Sequence, residues 1–408
     1  MDNETTTDTA EPDFVFALGG AVSAEPPADA MATDDSDLDP AEAKSREFAY
    51  DLARELAAGA PPGWTRLDAI FALTATEAAT RVFYSLPEQV VEAVPSQVVV
   101  NAARVQREST AGSEGGPWWR LLLGLTGDGE VTVDYDYGDE PFPDEQLLSP
   151  EAYRDDIQRY PRARLPIWLA AYVEDDGRQE RSADQAAFQA LLDLDSGIGS
   201  EPAEDEFPPL PGMWARWVTL SAIFVASGSE FGPRIMPSTG WFEGAARSGS
   251  TLSLLPGGRA VLSGGLWEAA ELDDAYNGAA AMPELYRGAP FWVADQALDP
   301  RAAQGLLSFC YWWDGFAWYR GESPSPADFA PALPGIWTAE VVVDLILGQL
   351  DDEGGSPQPA EAAAVLLAAA ERRAVRRELL EDLFGDNDFD IDGAYYQFFL
   401  GGLTAPEK

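Results

Sequence analysis

The groups in this chain that could do chemistry are mostly carboxylates, and no imidazole accompanies them. The sequence holds 70 Asp and Glu, 26 Lys and Arg, one cysteine and no histidine. The side chain best poised for proton transfer near neutral pH is therefore missing. Ser-His-Asp and Cys-His nucleophiles, His-ligated zinc and two-histidine iron or haem sites all fall with it. Lysine occurs only at Lys44 and Lys408, in segments expected to be solvated, which disfavours Schiff-base or P-loop chemistry. Cys310 alone can form neither an intrachain disulfide nor a thiolate metal cluster. Carboxylate, Tyr and Arg chemistry remains, and no cofactor or metal is expected.

Three constellations deserve weighing against that background. Asp134, Asp136 and Asp139 could supply paired acids for a glycosidase, which needs two carboxyls about 5 to 9.5 Å apart across a cleft. Alternate residues of one strand point into one surface, however, and cannot easily flank a sugar. Asp388-Phe389-Asp390-Ile391-Asp392-Gly393 fits the first half of a calcium-binding loop, yet Phe399 stands where the bidentate glutamate is required. An acidic turn before an amphipathic segment at 395–400 is the better reading. Tyr311-Trp312-Trp313 with Trp318 reads as core, or as an interface anchor if exposed.

The elements that must position these residues follow from period and punctuation. Asp39-Pro40-Ala41-Glu42 reads as a capped helix start, Phe48, Leu52 and Leu56 share one face, and Gly59 ends the helix. Residues 64–73 and 80–86 look like strands, and residues 88–107 like a helix interrupted at Pro95. Residues 118–126, the turn Gly127-Asp128-Gly129 and the alternating residues 130–137 form a β-hairpin. Alternation puts Val131, Val133, Tyr135 and Tyr137 on one face and Glu130, Thr132, Asp134 and Asp136 on the other. Helices are predicted from Pro150 to Tyr160 and from Ser182 to about Leu194. Residues 251–262 and 306–319 contain further hairpin signals at Gly257-Gly258 and Asp314-Gly315, the latter echoing Asp128-Gly129. A long helix is expected over 360–384, ended by Gly385.

This order predicts an α+β fold of antiparallel sheets flanked by helices, in two related or tandem units with a C-terminal helical segment. The expected divisions are an acidic disordered tail at 1–38, a first unit at 39–195, a linker at 196–211, a second unit at 212–350, and a linker with helices at 351–408. With 408 residues and 46% hydrophobic content, packed cores are expected. No apolar run reaches the length of a membrane span, and the acidic start Met1-Asp2-Asn3-Glu4 does not suit a secretory signal. A cytoplasmic protein is the expectation. The formal net charge of −44 argues against nucleic acid and anionic membranes as partners and favours a basic protein. Acidity can equally be a surface style for life in salt.

The first third also carries a diffuse pattern. A leading helix precedes Pro62-Gly63-Trp64, a central helix ends at Arg104 to Arg107, and Gly116-Pro117-Trp118 opens the hairpin with Asp128-Gly129 at its turn. Asp134-Tyr135-Asp136-Tyr137 is followed by Pro141 and Tyr160-Pro161. In these features residues 40–173 resemble the YezG-like antitoxin or immunity family of bacterial toxin systems. The resemblance implies a protein that occludes a cognate toxic domain, commonly a nuclease or an NAD-degrading enzyme. Asp134, Asp136 and Asp139, with Trp119 as an exposed aromatic, are then expected to contact the toxin. A carboxylate-dependent hydrolase and an acidic adaptor of a salt-adapted organism are the alternatives.

Overall fold

Antiparallel strand pairs build a five-stranded and a seven-stranded sheet, the second with central strands buried on both faces, and helices cover them in an α+β fold. The structure, a computed structural model, describes residues 40–112, 115–350, 357–385 and 389–406. The tail expected at 1–38, the cap at Asp39, Asp388 and most of the linker expected at 351–359 lie outside them. By contacts, the described residues from Ala49 onward group as one unit.

The chain runs α1 (Pro40–Ala58), β1 (Arg66–Leu73), β2 (Ala78–Leu86), β3 (Gln89–Ala93), α2 (Gln97–Ser109), β4 (Arg120–Thr126), β5 (Val131–Asp136), α3 (Pro150–Arg159), α4 (Ile167–Glu174) and α5 (Ala183–Ser196). These strands form a sheet in the order β3-β2-β1-β4-β5. One face buries Leu67, Phe71, Val82, Tyr84, Leu121 and Leu123. Serines start three of these helices, at Ser149 and Ser182 as predicted and at Ser96, which was not predicted: each accepts a backbone N–H of the first turn. Ser182 and Gln185 complete a reciprocal capping box.

The predicted helix over 88–107 is corrected in its first part. Residues 89–93 are strand β3, paired with β2 through Phe83↔Glu92 and Ser85↔Val90. The two-residue connection at Pro87-Glu88 returns the chain directly, so pairing with β2 overrides the helical reading. The helix begins only after Pro95 and Ser96.

The second part continues β6 (Glu201–Pro202), α6 (Leu210–Ala226), β7 (Gly232–Met236), β8 (Thr239–Glu243), β9 (Gly249–Leu255), β10 (Arg259–Gly265), α7 (Ala270–Tyr276), β11 (Phe309–Trp313) and β12 (Trp318–Arg320). The sheet order is β6-β12-β11-β10-β9-β8-β7. It is a sequential meander apart from β6, whereas the first sheet joins its two hairpins through β1 and β4, so the two strand orders differ. Helices α8 (Ala339–Gln349), α9 (Pro357–Glu371), α10 (Arg377–Phe384) and α11 (Ile391–Leu400) complete the chain. The apolar α6 is buried among them, with Trp217, Val218 and Leu220 in one core with Phe309, Leu366 and Phe398. Tyr311, Trp312 and Trp313 lie in buried positions, as the core reading has it.

The expected linker at 196–211 is a second correction. Its residues Glu201 and Pro202 form an edge strand on β12, Ala203 N–H donates to Trp318 O at 2.9 Å, and Phe207 packs edge-on against Tyr311 at 5.0 Å. Proline is tolerated on such an edge, so composition alone misreads the segment. The boundary is crossed by further bonds: Gln179 exchanges hydrogen bonds with the backbone of Leu307, and buried Arg181 donates to Val293 O.

The single long helix expected over 360–384 is a third correction. It breaks between Glu371 and Arg377, where Arg373 takes a left-handed φ of 53° and Val375 pairs with the chain near Thr404. Val375 is fully buried there, and that burial outweighs the helical propensity of the Arg-rich block. Asp390 caps α11 by accepting from Gly393 N–H, so this residue of the acidic motif starts a helix.

Candidate interaction surface

Alternation leaves one face of the five-stranded sheet half-open, and the register lines its residues into rows. Arg81, Ile70, Leu122 and Asp134 stand side by side across β2, β1, β4 and β5. The next row is Glu92, Phe83, Asp68, Gly124 and Thr132. Ile70, Phe83 and Leu122 are only partly buried, so this face mixes an apolar patch with charged side chains, Asp68 on the central strand among them. Arg66 is forked onto Asp68 at 2.7 to 3.0 Å, and Arg81 pairs with Glu92 at 2.7 Å. A side chain at Gly124 would meet Thr132 Oγ1 at 2.5 Å, so glycine leaves room for Thr132 across the strand pair.

The acidic strand β5 is one edge of this sheet. Asp134 and Asp139 are exposed, and no ion pair joins either of them to another described residue. Asp136 differs: its carboxylate accepts from Arg120 Nε at 2.8 Å and from Gly138 N–H at 2.7 Å. It organises the end of the hairpin and is not presented outward. Glu140, next to Asp139, pairs with Arg247 at 2.8 Å.

Trp119 is corrected outright. It is 1% exposed, meets Tyr153 edge-on at 5.1 Å, and carries the Arg162 guanidinium 3.8 Å above its ring. It sits just before β4, and both of its backbone groups are held: its N–H donates to Asp136 O and its carbonyl accepts from Leu73 N–H. The pairing turns its ring onto the buried face. Behind it, Asp156 receives two prongs from Arg107 at 2.8 and 2.9 Å, and Arg162 lies 4.0 Å away. Burial pushes the Arg162 guanidinium down to about 10, against the pull of Asp156 and with the help of Arg107. This charge cluster braces the hairpin from within.

Sequence reasoning missed Ile70, Phe83 and Leu122. The alternation Arg66-Leu67-Asp68-Ala69-Ile70 carried the signal, since the residues opposite the buried Leu67 and Ala69 must face outward. Among the described residues no group of three His, Cys, Asp or Glu is placed to hold a metal ion. One cavity of about 290 Å³ is lined by Ser227, Ser229, Gly348, Gln349, Leu350 and Phe389, none of which is a carboxylate. No described helix is long and apolar enough to cross a membrane. No family model and no curated protein matches the chain.

Proposed function

We propose that this chain is a non-catalytic binding protein that neutralises a cationic protein toxin by covering it, the activity that the resemblance of its first third implies. The supporting observation is the half-open sheet face, where partly buried Ile70 and Leu122 stand in register with exposed Asp134 on the edge strand and exposed Asp139 follows just beyond that strand, neither acid having an ion pair among the described residues. Exposed apolar side chains set among charged ones are common in protein-binding patches. A net charge of −44 steers a basic partner toward it and repels phosphate polymers and anionic membranes. Covering a toxin requires no imidazole, metal or nucleophile, so the composition and the reading agree.

The test is capture of binding partners by the tagged chain, from its host or from products of neighbouring genes, at low and high salt with mass spectrometry. The account predicts one basic, toxin-like protein, lost at high salt and inactive while bound. Recovery of no specific protein would contradict it.

A further inference from the structure

Helix α5 is inside out. Its buried residues are Ala186 and Asp193, while Phe188, Leu191, Leu192 and Leu194 are 64%, 66%, 43% and 77% exposed. A surface helix ordinarily turns such residues inward. Here the inward side is held by polar bonds: Asp193 accepts from Gly288 N–H at 2.9 Å and from Gln189 at 2.7 Å, and Arg181, just before the cap, is fixed to Val293 O and Ala289 O. The helix is anchored at both ends and its outer side is left bare.

The outer side has an ordered pattern. Asp184, Phe188, Leu191 and Asp195 follow one another at steps of four, three and four, which places them in one line along the helix. The two carboxylates are then roughly 16 Å apart with two large apolar side chains between them. Ala187, Leu192 and Leu194 widen the stripe. Asp195 stands in the last turn, where the helix dipole disfavours an acid, and no basic residue is there to offset it. From Ser182 to Ala215 the chain has no Lys or Arg.

We propose that this face of α5 is a docking site for a cationic amphipathic helix, with Lys or Arg about three turns apart and apolar residues between. Charge complementarity selects that occupant: two basic residues meet Asp184 and Asp195 while the apolar residues cover Phe188 and Leu191. A second copy of this chain would set like charges against each other. The site is separate from the sheet face and does not depend on the toxin-neutralising reading.

The probe is a labelled, amidated Leu/Lys amphipathic peptide of about 15 residues, long enough to hold a helix. It is titrated into the full chain by fluorescence anisotropy, with a Leu/Glu peptide of the same pattern as control. Binding of the Leu/Lys peptide alone is expected, weakened about tenfold or more by Phe188→Ser with Leu191→Ser, both exposed and so compatible with folding. Asp184→Asn with Asp195→Asn should also weaken it several-fold, although the net charge moves only from −44 to −42. Equal binding by wild type and both variants would show attraction by overall charge and overturn the proposal. So would absence of binding, or sedimentation in which the wild type self-associates and Phe188→Ser with Leu191→Ser does not.

Discussion

Arg107 on α2 and Asp156 on α3 meet as a two-pronged pair out of reach of water, with side chains 3% and 0% exposed. Arg107 Nε also donates to Trp118 O at 2.7 Å, and Asp156 accepts the Ala75 N–H at 2.7 Å. The pair thus ties two helices to the β1–β2 turn and to the start of the acidic hairpin. Whatever the hairpin presents outward depends on this buried junction.

Removing one partner should be costly, because an unpaired charge would remain buried. Asp156→Ala is expected to lose about 3–5 kcal/mol in urea unfolding, with Arg107 and Arg162 left facing each other. Arg107→Met with Asp156→Leu should lose less than Asp156→Ala alone. A loss below about 1 kcal/mol for Asp156→Ala would contradict the role given to the pair.

Alkaline pH should unfold the chain. Burial holds Tyr153, Tyr276, Tyr286 and Tyr311 protonated well above the ordinary tyrosine range and pushes the Cys310 thiol up to about 12. The folded state then binds protons that the unfolded state releases, so stability is complete below about pH 9 and falls as pH rises beyond it; Arg162, held down to about 10, acts in the opposite direction but is outnumbered by these five groups. Denaturation midpoints measured from pH 8 to 11 check the sign. A midpoint that rises over that window would contradict it.

Gly240 on β8 tests the packing around α6. A Cβ there would lie 2.8 Å from Trp217 Nε1, a fully buried side chain. Gly240→Ala should cost about 1–3 kcal/mol by overpacking, measured by thermal or urea unfolding. Gly129→Ala has open space at its Cβ but a φ of 95°, so its cost should come from backbone strain alone.

The hairpin of β4 and β5 was legible because the alternation of residues 130–137 and Gly129 leave few alternatives, and the helix starts at Ser149 and Ser182 because a cap acts within one turn. The elements that escaped depend on distant partners. β3 is five residues long and is defined by Phe83 and Ser85 across from it. Glu201 and Pro202 become a strand only because β12 offers an edge. The break at Arg373 is set by Val375 reaching the chain near Thr404, against a locally helical sequence. At the candidate surface, alternation correctly turned Asp134 outward. It could not show that Arg120 occupies Asp136 or that Trp119 faces the core, since both follow from pairing with β4 and β1.

The central claim, that the acidic edge of the first sheet captures a cationic toxin, is tested most directly by titrating the captured partner against Asp134→Arg with Asp139→Arg. Both residues are exposed and without an ion pair among the described residues, so the variant should fold with an unchanged unfolding midpoint. The account predicts a loss of affinity of about tenfold or more, with slower association that high salt no longer affects as strongly. Unchanged affinity in a folded variant would contradict it.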